Sequence, residues 1–149
     1  MDVLVRAVNA ALFVSHGIRR DTDITLHLCG GPGPDRRIWF NGDTLSGVRP
    51  DERSIAGQIK AILKRPVPPI GVLDEVTQGI FDMGGGLAET LTEWHDDGIS
   101  IHVLDAEGEA LETLENIWLW KLAFVLQVRN QLRVMHDFDV FSTVVFVFL

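Results

Sequence analysis

The sequence contains a single cysteine, Cys29, among its 149 residues. One cysteine cannot close a disulfide within the chain, and no charged segment followed by an apolar stretch and a cleavage site opens it. We therefore expect a protein of the reducing cytoplasm. The apolar runs are shorter than the roughly 18–20 residues that a membrane-spanning helix requires, so no membrane span is expected.

Motifs for metal binding and nucleophilic catalysis are also missing. The five histidines show neither HxxxH nor HExxH spacing, and one cysteine cannot complete a zinc site without several of them. No serine lies in a GxSxG motif, and no neighbouring cation activates the Cys29 thiol. Gly84-Gly85-Gly86 precedes a predicted helix but lacks GKS or GKT, so a turn is favoured over a phosphate loop. We expect neither a metal nor a covalent nucleophile.

Charge is unevenly distributed along the chain, whose formal net charge is −8. Residues 66–120 contain twelve acidic residues and no lysine or arginine, whereas nine of the thirteen basic residues lie between Arg19 and Arg65. Because attraction depends on the local field, the N-terminal half is compatible with an RNA partner despite the acidic total. Ordinary solvated surfaces are the alternative explanation.

Length and an apolar content of 46% indicate one globular domain. Hydrophobic periodicity predicts a helix over Asp2–His16, ended by a left-handed Gly17, and a second helix over Pro50–Lys64. Further along, the pattern predicts a third helix over Leu87–Trp94 and strands at Ile24–Cys29, Arg37–Phe40, Gly79–Met83 and Ile99–Leu104. Helices that alternate with strands indicate an α/β fold with a largely parallel sheet.

Two apolar runs, Ile117–Leu126 and Phe138–Leu149, dominate the C-terminal part of the chain. Buried strands or helices are the favoured interpretation. An exposed apolar tail that drives association is the alternative.

Two clusters of charged residues lie where predicted helices meet loops, at Ser15–Asp21 and Arg49–Ser54. Functional side chains are common at such junctions. Each cluster offers guanidinium groups that can contact phosphate, and a carboxylate that can accept a proton or bind the edge of a base. Helix caps with surface ion pairs would use the same residues.

Two segments carry a family resemblance, Met1–Leu28 (MDVLVRAVNAALFVSHGIRRDTDITLHL) and the later VRPDERSIAGQIKAIL. They resemble the archaeal tRNA pseudouridine-54 N1-methyltransferases of the SPOUT class, including the spacing from SHxIRxD to PDERS. Gly79–Leu91 and Ile99–Asn116 are more weakly similar to the next units of that family. The resemblance covers about residues 1–116.

The resemblance implies an α/β trefoil-knotted fold with a sheet flanked by helices, usually dimeric. It also implies that S-adenosylmethionine methylates N1 of a pseudouridine in the T-loop of tRNA. Such a reaction depends mainly on placing N1 in line with the methyl group and on removing the N1 proton. At the matching motifs, the residues implied to bind RNA phosphates are Arg19, Arg20, Arg49 and Arg53. The carboxylates implied to orient the base or accept its proton are Asp21 and Asp51.

The chain departs from that family at both ends. The family has a strand and a glycine-containing loop before the helix that begins here at Met1. After Asn116 it has a Gly-Asp-His-type loop and an LHADH-like turn in the knot that holds the methyl donor, whereas this chain has no glycine after Gly108. We therefore expect an incomplete SPOUT-like domain at residues 1–116 and a divergent apolar segment at 117–149, with no donor-binding residue assigned.

Three interpretations follow from these departures. The first is a tRNA methyltransferase chain with a missing or divergent donor region, as an internal start codon and a frameshift near codon 117 would produce. The second is an inactive remnant or RNA-binding module that keeps the arginine clusters. The third is an oligomerisation domain that uses the apolar C-terminal segment.

Overall fold

The computed structural model describes residues 1–15, 17–29, 32–103, 122–129 and 141–148. The described helices are α1 (Asp2–Leu12), α2 (Glu52–Leu63) and α3 (Leu87–Asp96). The described strands are β1 (Phe13–Val14), β2 (Gly17–Ile18), β3 (Thr22–Cys29), β4 (Arg36–Asn41), β5 (Asp74–Thr77), β6 (Ile80–Gly84), β7 (Ser100–Val103), β8 (Leu122–Arg129) and β9 (Phe141–Phe148).

Seven strands form one sheet in the order β5-β6-β4-β3-β9-β8-β7. The α/β class, with a sheet flanked by helices, is confirmed, but the prediction of a largely parallel sheet is wrong. Only β7 and β8 pair in parallel, and all other neighbours are antiparallel. Short connections explain two of these pairs, β3 with β4 and β5 with β6, because residues 30–35 and 78–79 are too few for the crossover that parallel neighbours require.

The apolar core lies between one sheet face and the two helices α1 and α2. Each helix contributes one stripe at helical spacing, such as Val8 and Leu12 of α1, and Ile55 and Ile59 of α2, all buried. The sheet contributes the alternate positions of β3 and β4: Ile24, Leu26, Ile38 and Phe40.

The opposite sheet face, which we call the α3 face, carries the polar side chains of β3. Because side chains alternate along a strand, Asp23, Thr25 and His27 of β3 lie on this face, and all three are buried. Arg37 of β4 points the same way and reaches Thr90 of α3. The polar alternate positions of β3 therefore lie beneath α3 rather than in solvent.

The first helix is shorter than predicted. It ends at Leu12, because Phe13 is extended (φ −114°, ψ 130°) and begins a tight antiparallel pair in which Phe13 lies opposite Ile18. The left-handed residue is Ser15 (φ 54°), and Gly17 lies in β2, so its assignment as the helix C-cap is wrong. His16, also predicted to be helical, lies outside the described residues.

Most other boundaries agree closely with the predictions. The second helix begins two residues later than expected, and β5 lies just beyond the proline-rich segment 66–71, where the sequence pattern predicts no strand. Parts of both C-terminal apolar runs form β8 and β9, as the strand interpretation requires. Leu104, residues 117–121 and residues 138–140 lie outside the described structure, and the domain boundary at residue 116 stays a prediction.

Candidate functional site

The first predicted cluster is held against the loop that follows β4. The Arg20 Nη1 atom donates to three main-chain carbonyl oxygens, those of Gly42 at 2.9 Å, Asp43 at 2.8 Å and Leu45 at 2.9 Å. The neighbouring side chains of Arg19 and Asp21 are exposed. Arg20 thus stabilises the loop, while Arg19 and Asp21 face solvent.

The second predicted cluster caps α2. Asp51 is the N-cap residue, and its Oδ1 accepts the main-chain N–H of Ser54 at 2.8 Å. The Ser54 hydroxyl in turn accepts the N–H of Arg49 at 3.1 Å. The guanidinium groups of Arg49 and Arg53 remain exposed. Asp51 therefore has the capping role that was the alternative interpretation of this cluster.

The two clusters make no hydrogen bond or ion pair with each other within the part of the chain that the structure describes. The loop that follows β4 links them, because Arg20 donates hydrogen bonds to residues 42–45 of this loop and Arg49 lies shortly after them in the chain. The structure thus joins both clusters to one loop.

Two of the basic residues counted toward an RNA-facing field lie in the interior instead. Arg37 is buried and forms a two-pronged ion pair with Glu93, at 2.8 and 3.2 Å. Arg36 is also buried, lies 3.2 Å from Asp82 and donates to the carbonyl of Ile62 at the end of α2. Burial raises the pKa of Asp82, an effect that the Arg36 charge partly offsets. The role of these two arginines is therefore structural.

A cleft of about 520 Å³, which we call the α3 cleft, lies between the α3 face and α3. Its strand side is lined by Asp23, Thr25, Arg37, Trp39 and Asn41. Its helix side is lined by Thr90, Glu93 and Trp94, and the exposed segment 71–73 lies at its edge. Its size and its mixture of aromatic and polar groups are typical of a small-molecule or nucleobase pocket.

Asp23 is the carboxylate on the strand side of this cleft. It accepts the Trp39 indole N–H at 3.1 Å and the main-chain N–H of Gly42 at 2.8 Å. Burial raises the pKa of Asp23, while these two hydrogen bonds act in the opposite direction. The Trp39 ring stacks on Phe81 with ring centroids 4.7 Å apart. The indole is therefore fixed at both its nitrogen and one face.

His27 lies beside the cleft on the same sheet face. It is fully buried, and neither ring nitrogen has a hydrogen-bond partner among the residues that the structure describes. Burial and, secondarily, the Arg37 charge lower the pKa of His27 to about 4, so the ring is neutral near pH 7.

Sequence reasoning missed this cleft. The available indication was the polar alternation Asp23, Thr25, His27 in a strand whose other face is apolar. That pattern ordinarily describes a solvated face. Only the placement of α3 over it turns the same residues into a lined cavity.

The triple glycine joins β6 to α3, and Gly84 is the last residue of β6. Gly86 is the N-cap of α3, and its N–H donates to the Glu89 carboxylate at 2.8 Å. Gly85 has a left-handed φ of +100°. The carboxylates of Asp35 and Glu89 line the adjacent cavity, an arrangement that repels phosphate.

Within the described ranges, no three histidine, cysteine or acidic side chains are grouped so that they could hold a metal ion. No helix in those ranges is long and apolar enough to span a membrane.

The backbone of β9 offers no free groups to the methyl donor S-adenosylmethionine. β9 pairs over its whole length with β3 on one side and β8 on the other. Its amides and carbonyls are therefore used within the sheet and cannot cradle an adenine or a methionine group. The resemblance would place the donor site after Asn116, and residues 117–121 and 130–140 of that segment lie outside the described structure.

Comparison with known proteins identifies relatives of this chain. Residues 1–127 match the family described as "Putative SAM-dependent RNA methyltransferase". Three similar proteins are each named tRNA (pseudouridine(54)-N(1))-methyltransferase. Those from Methanospirillum hungatei, Methanococcoides burtonii and Methanocella arvoryzae are 40%, 35% and 37% identical to the chain over 119, 117 and 115 residues.

The matched regions cover 80%, 78% and 72% of this chain but only 60%, 57% and 59% of those relatives. The chain thus spans less than two thirds of their length. The family match nevertheless covers most of the sequence, including both arginine clusters and the α3 cleft. The chain belongs to this family of SAM-dependent RNA methyltransferases.

Proposed function

We propose that this chain acts in the S-adenosylmethionine-dependent methylation of tRNA at N1 of pseudouridine-54. The observation that supports the proposal is the family match over residues 1–127, together with relatives of that name at 35–40% identity. The donor supplies an activated methyl group when it is bound. The described residues contribute the grip on the RNA.

Exposed arginines are the groups proposed to hold the tRNA backbone. Arg19, Arg49 and Arg53 are exposed and have no carboxylate partner within the described residues. Arg20 donates through Nη1 to the carbonyls of the loop after β4. The other N–H groups of its guanidinium are therefore proposed to contact phosphate. Positive side chains that are not neutralised by the protein supply most of the affinity for a polyanion.

The two candidate carboxylates differ in their freedom to act on the base. The Asp51 carboxylate is engaged by the first turn of α2. Asp21 is exposed, and the hydrogen bond that it accepts within the described residues is a long one, 3.3 Å from its neighbour Thr22. We favour Asp21 as the group that accepts the N1 proton. We also propose a cytoplasmic homodimer, which follows from the resemblance.

The test is methyl transfer by the full chain from labelled S-adenosylmethionine to tRNA carrying either pseudouridine or uridine at position 54. We expect label in the first tRNA and none in the second. Asp21→Asn should reduce transfer without weakening tRNA binding.

A second candidate function is RNA binding without methyl transfer. It is favoured by the C-terminal strands, whose backbone is engaged in the sheet. It predicts salt-dependent tRNA binding that needs no donor, no label in either tRNA and no heat on titration with millimolar donor. An oligomerisation role predicts instead an association that depends on protein concentration and ignores RNA.

A further inference from the structure

The α3 cleft contains an aromatic surface held in a fixed orientation. Trp39 is fixed by stacking on Phe81 and by its hydrogen bond to Asp23, and Trp94 lines the opposite side of the cleft. Aromatic side chains on a sheet surface are a common platform for an unstacked base in RNA-binding proteins. Because Trp39 is already fixed, little conformational entropy is lost when a ring stacks on it.

The polar groups of the cleft favour a base over a phosphate. Asp23, Glu93 and Asp97 line the cleft, and its one arginine, Arg37, is already paired with Glu93. This local negative charge repels phosphate and attracts N–H donors. Thr25 lines the floor and makes no side-chain hydrogen bond within the described residues, so its hydroxyl is available as well.

The cleft adjoins the loop that the first arginine cluster stabilises. Gly42 joins them, since its N–H donates to Asp23 and its carbonyl accepts from Arg20. An RNA strand whose phosphates contact the Arg19–Arg20 region would therefore have a base within reach of the cleft.

We propose that the α3 cleft is a pocket for one uracil-type base of the tRNA, turned out of its stack, with Trp39 as the stacking surface and Asp23 accepting a ring N–H. A pseudouridine ring carries two such N–H groups, which suits a carboxylate acceptor. The inference rests on the proposed function, because it presupposes that the chain binds tRNA.

The test compares RNA with and without the base, and protein with and without the Trp39 indole, in all four combinations. The RNA is a T-arm hairpin with either pseudouridine or an abasic ribose at position 54, and its binding to the full chain is followed by fluorescence anisotropy. Wild type should bind the pseudouridine RNA about 5- to 150-fold more tightly than the abasic RNA. Trp39→Ala should lose the part of this preference that stacking supplies, and Trp39→Phe should keep the preference because a phenyl ring still stacks.

Asp23→Asn provides a second variant that keeps the size of the side chain. It should reduce the preference for pseudouridine by about tenfold, because a charge-assisted hydrogen bond is lost. It carries the test if Trp39→Ala does not fold.

Three results would overturn the inference. The first is an unchanged preference in both Trp39→Ala and Asp23→Asn, and the second is equal binding of both RNAs by wild type. The third is a fluorescence change on adding S-adenosylmethionine alone that Trp39→Phe abolishes, which would assign the cleft to the donor. Absence of any RNA binding at low salt would instead refute the proposed function itself.

Discussion

At the scale of single residues, the α3 face buries polar side chains. In many antiparallel sheets such side chains lie on a face that is exposed to water. Asp23 and Arg37 are compensated by hydrogen bonds and an ion pair, but His27 is not. A buried group without a partner costs free energy when it is charged, so the fold favours the neutral imidazole. Stability should therefore depend on pH through this residue.

We expect His27 to make the protein less stable in mild acid. Its pKa is about 4 in the folded protein and 6.5 ordinarily, so the unfolded chain takes up a proton first as the pH falls below 6.5. The free energy of unfolding should then fall between pH 7 and pH 4.5 by about 2–3 kcal/mol from this residue alone. His27→Leu, followed by urea unfolding at both pH values, should remove that part of the decrease.

His95→Gln is the control for this experiment, because it removes a histidine from the exposed side of α3. It should leave the pH dependence as in wild type. An equal decrease in wild type and His27→Leu would show that His27 is not the source.

Gly42 is a residue whose surroundings leave no space for a Cβ. A Cβ at this position would collide with the main-chain carbonyl oxygens of Thr22 and Arg19, neither of which is a flexible side-chain end. We expect Gly42→Ala to destabilise the protein by roughly 1–3 kcal/mol, as overpacking does. Thermal unfolding of the variant measures the effect.

Gly57→Ala is the matched control and should act in the opposite direction. Gly57 lies within α2, and a Cβ there meets nothing within 4 Å. Alanine in a helix interior is more stable than glycine by about 0.5–1 kcal/mol. A destabilised Gly57→Ala together with a neutral Gly42→Ala would contradict both expectations.

At the scale of elements, the N-cap residue and a side chain of β4 fix the two ends of α2. Asp51 accepts the Ser54 N–H at the start, and Arg36 donates to the carbonyls of Ile62 at 3.1 Å and Arg65 at 2.7 Å at the end. Helix termini leave such groups unsatisfied unless they are capped. The helix that presents Arg53 is therefore held in place by groups outside it.

Substitutions at Asp51 separate capping from chemistry. Asp51→Ala should lower the free energy of unfolding by about 1 kcal/mol, whereas Asp51→Asn should retain it, because asparagine caps as well as aspartate. Chemical denaturation measures both variants. If Asp51→Asn is as stable as wild type but loses methyl transfer to tRNA, the carboxylate acts in the reaction as well as in the cap.

At the scale of the whole molecule, the fold sorts basic residues into two groups. Arg36 and Arg37 are buried against acidic side chains, while Arg19, Arg49 and Arg53 remain exposed. Only the second group can release counterions from RNA. The number of charges in the sequence therefore overstates the field that an RNA meets.

The exposed arginines should set the salt dependence of tRNA binding. Arg19→Ala and Arg53→Ala should each weaken binding and reduce the slope of log K against log salt by about 0.7–0.9, the value for one phosphate contact. Arg6→Ala is the control, because Arg6 is exposed on α1 and its pair with Asp2 is long, at 3.8 Å. Slopes equal to that of Arg6→Ala would exclude Arg19 and Arg53 from the interface.

The sequence by itself determined the positions of the three described helices, four of the nine described strands and the family, because hydrophobic periodicity and the SHGIRRD and PDERS motifs are local. It also identified the arginine clusters, whose exposure at Arg19 and Arg53 follows from their positions between helices and loops. The antiparallel sheet depended on which strands pair. Pairs such as β3 with β9 join residues that are distant in the sequence, so a local pattern does not specify them. The cleft depended on α3 covering Asp23, Thr25 and His27, a placement that the alternation within β3 cannot specify, since the same pattern suits a face in water. Tertiary packing alone decided which polar residues became a pocket and which arginines stayed free.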